Sequence, residues 1–489
     1  MRRIWNTRHH LGALIGAGLG VLLATPTQSS AGQSTGNAVT FTKDIAPILQ
    51  RSCENCHRAE GGAPMALVSY EEVRPWARAI KDKTSRSDND PERMPPWFIE
   101  KNIGIQRFKN DVSLSADEIV RIAEWVDAGG PRGDQADMPP PIPWPDGAAW
   151  TAGEPELIVS SPVIDVRANG SDSWGTVGPF PTGLTEDRYL KSIEVKEVWP
   201  EGLREQAAKS ADKRAGFVSA VVHHATVADV SPDPAASANE EGDTRGSRAG
   251  KSLVVYELGQ NALVYPDTVG RKLEAGSQFS LDVHTHSIGL EVPVRLDIGL
   301  TFQPKGYTPK YELRFGSMGN PKDSLDIPAG ETVRFDHFYT LPEAAILSTF
   351  EPHMHASGER MCVEAFLGGT TGKRVMLNCA GYNHSWVKVY VYEDDAAPLL
   401  PKGTLLHMIG WYNNSESNPR VVDPRNWKGY GRRSIDDMFI FLPRLVFLTE
   451  DEFQTELAAR ARNNPRARTC SDLGLQTWCG STRLAAGGR

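Results

Sequence analysis

Hydrophobic and polar positions follow two different periods along this chain. Between residues 38 and 130 the apolar residues recur every three or four positions, which predicts amphipathic helices. Helices are predicted at residues 43–51, at residues 70–83 and after Ser115, which begins a capping box. This part of the chain is therefore predicted to be a small all-α domain.

After residue 149 the pattern changes to short runs in which apolar and polar residues alternate. Gly, Pro, Asn and Asp separate the runs, and this combination is typical of antiparallel β-sandwiches. The clearest runs are at residues 193–198, 252–258, 279–283, 294–302, 332–338 and 386–391. The predicted fold is multidomain: the small all-α domain is followed by two antiparallel β-sandwich domains of the jelly-roll kind.

A chain of 489 residues is long enough for about three domains. A proline-rich stretch after residue 130 has the composition of a stiff spacer. The predicted organisation is a signal peptide at 1–31, the all-α domain at 38–130, a linker at 131–149, a first sandwich at 150–320, a second sandwich at 321–450 and a C-terminal tail at 451–489.

The first 31 residues have the features of an export signal. Arg2, Arg3 and Arg8 precede an apolar run at residues 11–24, and cleavage is predicted after Ala31. The run is short for a membrane span and rich in glycine, and no later segment is long and apolar enough to cross a bilayer. The mature chain is predicted to be periplasmic or extracellular, without a membrane span.

Charge and cysteine content narrow the functional class. The net charge is −8 and both signs are mixed along the chain, which gives no support for nucleic-acid binding. Two of the six cysteines belong to a motif considered below, and the other four form an even set that predicts two disulfides in an oxidising compartment. Sequence order favours Cys362–Cys379 and Cys470–Cys479, but four cysteines allow three pairings.

The sequence Cys53-Glu54-Asn55-Cys56-His57 predicts one covalently bound haem c. Two thiols at this spacing form thioethers with the haem vinyl groups, and the adjacent imidazole is placed to bind the iron. A redox-active Cys-x-x-Cys motif would leave His57 unexplained.

The second axial ligand of the haem iron is predicted to be Met94, because the prolines that follow it would hold its loop rigidly. Met65 is the rival, although it lies very close to the haem motif in sequence. A methionine ligand raises the reduction potential and suits electron transfer. The size of residues 38–130 and the methionine loop resemble class I cytochrome c domains.

Nine of the 12 histidines lie between residues 223 and 407, and most of them are clustered. His353 and His355 can reach one metal ion from a strand, because residues two apart share a face. The adjacent pair His223-His224 cannot do so on a regular strand, so it needs a bulge or the linear coordination that Cu(I) accepts. Imidazole suits Zn, Cu, Fe and Ni, and an added thioether favours copper.

Residues 150–450 resemble the copper type II, ascorbate-dependent monooxygenases, which include peptidylglycine α-hydroxylating and dopamine β-monooxygenases. The order of a His-His pair, a single His, a His-x-His and a later Met is retained. The resemblance implies two coppers: one is held by His223, His224 and His284, and the oxygen-activating one is held by His353, His355 and Met438. Met408 is the competing thioether. The remaining histidines of this region match no ligand position and are interpreted as supporting or structural: His286, His337, His384 and His407.

Three positions depart from the amidating member of this family, which argues against a peptide ending in glycine as the substrate. Glu351 replaces an arginine, Ile440 replaces an asparagine and Phe439 replaces a cysteine. A neutral or cationic substrate fits the Glu351 position better.

The resemblance implies that an exported enzyme hydroxylates a C–H bond of a small organic substrate with O2. Each copper would supply one of the two electrons, and an upstream donor would deliver them through the haem. The stiff linker is expected to keep the haem near the first sandwich. The alternatives are a periplasmic electron-transfer or copper-binding protein without oxygenase activity, and a structural protein that docks a partner.

Overall fold

A computed structural model describes most of the chain. The described residues are 38–58, 63, 65–142, 150–170, 173–210, 221–233, 251–257, 262–266, 268–319, 325–367, 374–384, 386–431 and 435–463. The predicted signal peptide, Cys470 and Cys479 lie outside these residues. No helix within the described ranges has the length and apolarity needed to span a bilayer.

Helices form at the three places where the sequence period predicts them, and two further helices, Leu203–Ser210 and Glu450–Asn463, were not predicted. The α-helices are α1 (Ala46–Ser52), α2 (Tyr70–Val73), α3 (Ala77–Thr84), α4 (Ala116–Asp127), α5 (Leu203–Ser210) and a last helix, Glu450–Asn463. Single turns of other helix types occupy Phe41–Ile45, Arg74–Trp76 and Gln135–Asp137. The predicted helix at 70–83 is broken at Arg74–Trp76, because Pro75 has no backbone N–H to continue the α-helical hydrogen bonds.

The capping box at the start of α4 is present. Ser115 accepts a hydrogen bond from the Glu118 backbone, and the Glu118 side chain accepts one from the Ser115 backbone. Helix α4 buries Ile122 and Trp125 in a small core that it shares with α1 and α3.

Strands dominate the rest of the chain. The first ten are β1 (Leu157–Ser160), β2 (Ile164–Val166), β3 (Ser173–Pro181), β4 (Arg188–Val198), β5 (Val222–Val230), β6 (Lys251–Glu257), β7 (Ala262–Val264), β8 (Val269–Leu273), β9 (Gln278–Thr285) and β10 (Val292–Phe302). The next eight are β11 (Tyr311–Phe315), β12 (Met318–Gly319), β13 (Asp326–Ile327), β14 (Thr332–Thr340), β15 (Ala344–Leu347), β16 (Thr349–Phe350), β17 (Pro352–His353) and β18 (Gly358–Phe366). The last seven are β19 (Arg374–Gly381), β20 (Tyr390–Val391), β21 (Leu399–Leu400), β22 (Leu405–Asn413), β23 (Lys428–Gly429), β24 (Ile440–Phe441) and β25 (Arg444–Leu448).

One large sheet and two four-stranded sheets organise the β region. The large sheet has the order β1-β10-β4-β8-β11-β25-β15-β21, with β2 and β7 added to β10 and β4. The four-stranded sheets have the orders β3-β9-β5-β6 and β14-β22-β18-β19. One hydrophobic core includes β4, β5, β9 and β10, and a second includes β18, β19 and β22.

The predicted fold class is wrong. Strand accounts for 38% of the structure and helix for only 16%, and in the described part of the chain residues 38–130 do not form a separate all-α cytochrome c domain. The two predicted sandwiches also share one continuous sheet, because β11 of the first pairs antiparallel with β25 of the second. Local periodicity predicts that a helix or strand forms, but it does not predict which hydrophobic core its apolar face packs against.

Residues 97–108 show why the helical part is not independent. Ile99 forms a β-bridge with Ala380, and Phe108 forms one with Tyr392. Ile99, Ile105 and Phe108 are buried in the second β core and not among the helices. The segment therefore contacts the second predicted sandwich, whereas the haem was expected near the first.

The disulfide Cys362–Cys379 is confirmed. The two cysteines are direct partners on the antiparallel strands β18 and β19. Both side chains are buried, so the disulfide links two neighbouring strands of one sheet in the protein interior.

Replacing both cysteines by alanine is expected to lower the free energy of unfolding by about 3 kcal/mol, because the bond closes a loop of 17 residues. Urea unfolding of the oxidised protein measures this. A reducing agent should shift wild type by a similar amount and leave the double variant unchanged. Equal stability of variant and oxidised wild type would contradict the prediction.

Candidate metal centre and haem attachment site

His224 and His284 lie directly opposite each other on the neighbouring strands β5 and β9. The pairing register shifts between Val222 and His224, which places His223 in a bulge. A bulged backbone was one of the two predictions for this adjacent pair, and it is confirmed. The side chain of His223 lies outside the described part of the structure.

The two imidazoles are close enough to share a metal ion. The Nδ1 atoms of His224 and His284 are 3.4 Å apart. A tetrahedral ion such as Zn²⁺ binds imidazole nitrogens at about 2.0–2.1 Å, which puts two of them about 3.3–3.4 Å from each other. With no metal bound, the same distance lets one ring donate a hydrogen bond to the other.

Trp174 covers one side of this pair. Trp174 on β3 is the direct partner of His284, and the two rings stack with centroids 4.5 Å apart. Its ring also meets His224 edge-on at 4.6 Å. Directly opposed residues share a face of a sheet, so one row across β3, β9 and β5 carries an indole and two buried imidazoles.

His353 and His355 lie on either side of a buried methionine. Met354 is fully buried in the second core, and a side chain at Gly358 would collide with it. The two imidazole rings are 5.6 Å apart between centroids. The carbonyl of Asp436 lies 3.3 Å from Nδ1 of His355, so Nε2 is the nitrogen that could ligate a metal.

The carboxyl group of Asp437 connects the backbone of Met438 to the backbone of His355. One carboxylate oxygen accepts hydrogen bonds from the backbone N–H groups of His355, at 2.8 Å, and of Met438, at 2.9 Å. The other oxygen accepts from the backbone and hydroxyl of Ser357. Burial raises the pKa of Asp437, while these hydrogen bonds and His355 oppose the rise. The carboxylate therefore brings together two elements that are about 80 residues apart in sequence.

The two predicted ligand groups meet in one place and not in two separate pockets. The centroids of His224 and His353 are 6.5 Å apart. His384 lies between the groups, with centroids 4.9 Å from His355, 6.2 Å from His224 and 6.4 Å from His284. These five residues are called the histidine cluster: His224, His284, His353, His355 and His384.

The sequence analysis interpreted His384 as supporting or structural and did not predict that it joins the clustered histidines. It lies alone in sequence, outside the clustered histidines, and only the fold brings it to them. Its Nδ1 is 3.4 Å from the hydroxyl of Tyr382, which donates a hydrogen bond to the Met354 carbonyl.

The donor set of the cluster fits copper in kind. Imidazoles dominate, and Met438 adds a thioether to the chain segment beside His355. Within the described residues, no group of three His, Cys, Asp or Glu side chains is already arranged to hold a metal ion.

The haem motif lies in a tight turn at the end of α1. The backbone N–H groups of Cys56 and His57 both donate to the carbonyl of Cys53. Burial raises the pKa of Cys53 to about 12, and it also raises the pKa of Cys56. Burial lowers the pKa of His57, which favours the neutral imidazole that iron binds.

The carbonyl of Met65 lies 3.1 Å from Nδ1 of His57. A ring N–H donated to a backbone carbonyl leaves Nε2 to ligate a metal, so the imidazole fits the proposed role. The backbone of Met65 is thus on the Nδ1 side of the ring. Met94 is on the loop after α3, where its N–H donates to Lys83, and it remains the predicted second ligand.

Other predicted positions have structural partners. Glu351 is 1% exposed and its carboxylate lies 3.9 Å from the Arg444 guanidinium, so its charge is paired inside the protein. His407 lies between Glu364 and Asp336, at 2.7 and 2.6 Å. Met408 is a fully buried strand residue of the second core.

No protein-family model matches the chain, and no curated protein matches it. The solved structures it is similar to include infectious bursal disease virus, Gx strain (10% identity, 60% of this chain, 72% of that chain, TM-score 0.15). Another is the PBSX exported protein XepA (9%, 52% and 86%, TM-score 0.13). A third is an oxalate decarboxylase from B. subtilis (8%, 65% and 86%, TM-score 0.12). Similarity this low carries no argument about fold or function.

Replacing Asp437 by asparagine is expected to lower the free energy of unfolding of the metal-free protein by about 1–3 kcal/mol, because an amide NH2 would face buried N–H donors. Urea unfolding measures the loss. Asp436→Asn is the matched control, since it makes the same change at the neighbouring residue, whose backbone carbonyl lies near His355. Equal stability of the two variants would contradict the role given to Asp437.

Proposed function

We propose that this chain is an exported oxidoreductase that uses one covalent haem c and two copper ions to hydroxylate a C–H bond of a small organic molecule with O2. The proposal includes an evolutionary relationship to the copper type II monooxygenases. The observation that carries it is the meeting of His224, His284, His353 and His355, which come from distant segments, at one point.

In this proposal His223, His224 and His284 hold one copper, and His353, His355 and Met438 hold the other. When bound, copper binds O2 and exchanges single electrons, and haem carries single electrons to it. Trp174 shields the first pair from water on one side. Asp437 holds His355 and Met438 in register, which fixes the angle at which the second pair faces a metal.

At the haem end, Cys53 and Cys56 would form the thioethers, and His57 would bind iron through Nε2. The hydrogen bond of His57 to Met65 fixes the tautomer. The backbone carbonyl of Met65 is hydrogen-bonded on the Nδ1 side of the His57 ring. This position supports Met94 as the second iron ligand.

One observation favours the alternative of a copper-binding electron-transfer protein. Four members of the histidine cluster are buried, which leaves His353 as the partly exposed one. An oxygenase needs space for a substrate beside a copper ion. Substrate-dependent O2 uptake separates the two functions.

The purified exported protein is expected to contain two coppers and one haem per chain. His353→Ala should lose one copper and the substrate-dependent O2 uptake, with an unchanged haem spectrum, because His353 is far in sequence from the haem motif and serves only the metal cluster. Metal analysis, an oxygen electrode and optical spectra measure these three quantities.

The matched control is His337→Ala, a partly buried histidine of β14 outside the cluster, which should keep both coppers and full activity. Unchanged O2 uptake in His353→Ala would reject its catalytic role. Two coppers without O2 uptake, over a panel of neutral and cationic organic substrates, would favour the electron-transfer alternative.

Met94→Ala is expected to lower the reduction potential of the haem and to let carbon monoxide bind the reduced iron, because the thioether ligand is removed. Redox titration and optical spectra with and without carbon monoxide measure this. Met65→Ala is the matched control and should keep the wild-type potential. The reverse result would assign the ligand to Met65.

A further inference from the structure

The turn that follows β19 contacts both ends of the proposed electron path. It contains Tyr382, Asn383 and His384, and the proposed function gives the last two no role. One side of this turn touches the loop that carries Met94, and the other side enters the histidine cluster.

The contact with the methionine loop is direct. The side-chain amide of Asn383 donates a hydrogen bond to the carbonyl of Pro91 at 2.6 Å, three residues before Met94. The N–H of Gly381 donates to the carbonyl of Phe98, on the other side of Met94, at 2.9 Å. A side chain at Gly381 would meet the backbone of Asn89 at 2.7 Å, so glycine permits this close approach.

The contact with the cluster is made by His384, the residue that follows Asn383. The ring of His384 lies 4.9 Å from His355, which belongs to the second predicted copper group. It lies 6.2 Å from His224 and 6.4 Å from His284, which belong to the first. His384 is thus the member of the cluster that neighbours both groups.

We propose that Asn383 and His384 form the electron-transfer route between the haem site and the histidine cluster. This inference rests on the proposed function, because it needs haem and copper at those sites. Electron tunnelling is faster through covalent and hydrogen bonds than across gaps. From the backbone of the Met94 loop, the route crosses one hydrogen bond, between the Pro91 carbonyl and the Asn383 side chain. It then follows one peptide bond to His384. Each transfer oxidises one haem iron from Fe(II) to Fe(III) and reduces one Cu(II) to Cu(I).

The test is the rate of haem oxidation in the holoprotein. The haem is reduced with dithionite in the copper-free protein, excess reductant is removed, Cu(II) is added without oxygen, and the haem absorbance is followed by stopped flow. Asn383→Leu, which cannot donate to Pro91, should slow the internal phase severalfold while copper content and haem spectrum stay those of wild type. His384→Phe keeps the ring shape and should slow it as well.

Arg360→Gln is the control for a loosened interface. Arg360 pairs with Glu100, on the same segment as Met94, but it is not on the proposed route. The inference predicts a wild-type rate for this variant. If Asn383→Leu fails to fold, Asn383→Asp keeps the side-chain shape and also lacks the donor.

The outcomes separate the two claims. No haem oxidation by Cu(II) in wild type would reject the relay of the proposed function itself. Rapid oxidation in wild type with unchanged rates in Asn383→Leu and His384→Phe would leave the relay standing and overturn this route. Equal slowing in Asn383→Leu and Arg360→Gln would also overturn it, because the cause would then be the interface.

Discussion

The histidine cluster depends on how strands β5 and β9 pair. Because His224 stands directly opposite His284, the ladder hydrogen bonds of the sheet set the distance between their nitrogens. The bulge at His223 belongs to the same arrangement. On a regular strand the side chains of His223 and His224 would point to opposite faces of the sheet. A shift of one residue in this register would move one imidazole to the other face of the sheet and separate the pair.

The second half of the cluster is held by a buried carboxyl group beside a short ladder, in which His353 pairs with Ile440. Strand β17 has two residues, so main-chain pairing alone gives little rigidity around His355. Asp437 supplies it, because its two oxygens collect donors from both chain segments. Sheet register and a carboxylate thus position the two halves by different physical means.

Sequence periodicity predicted the helices near residues 43–51, 70–83 and 116–127, and alternation predicted the β region. It could not predict that residues 97–108 complete a β core, because their apolar side chains follow prolines and have no clear period. The bulge at His223 was one of the alternatives that strand geometry left open for an adjacent histidine pair. The place of His384 in the cluster could not be predicted, because a lone histidine has no spacing to mark it and its position depends on tertiary contacts.

The antiparallel pairing of β11 with β25 carries one sheet across both β cores. Main-chain hydrogen bonds therefore link the half of the chain that carries His224 to the half that carries His353. Neither half is a module that evolution or engineering could exchange by itself, since cutting between them would leave an unpaired strand edge on each piece. Metal affinity, as proposed for the histidine cluster, would then be a property of the whole β region, and it should disappear together with cooperative folding.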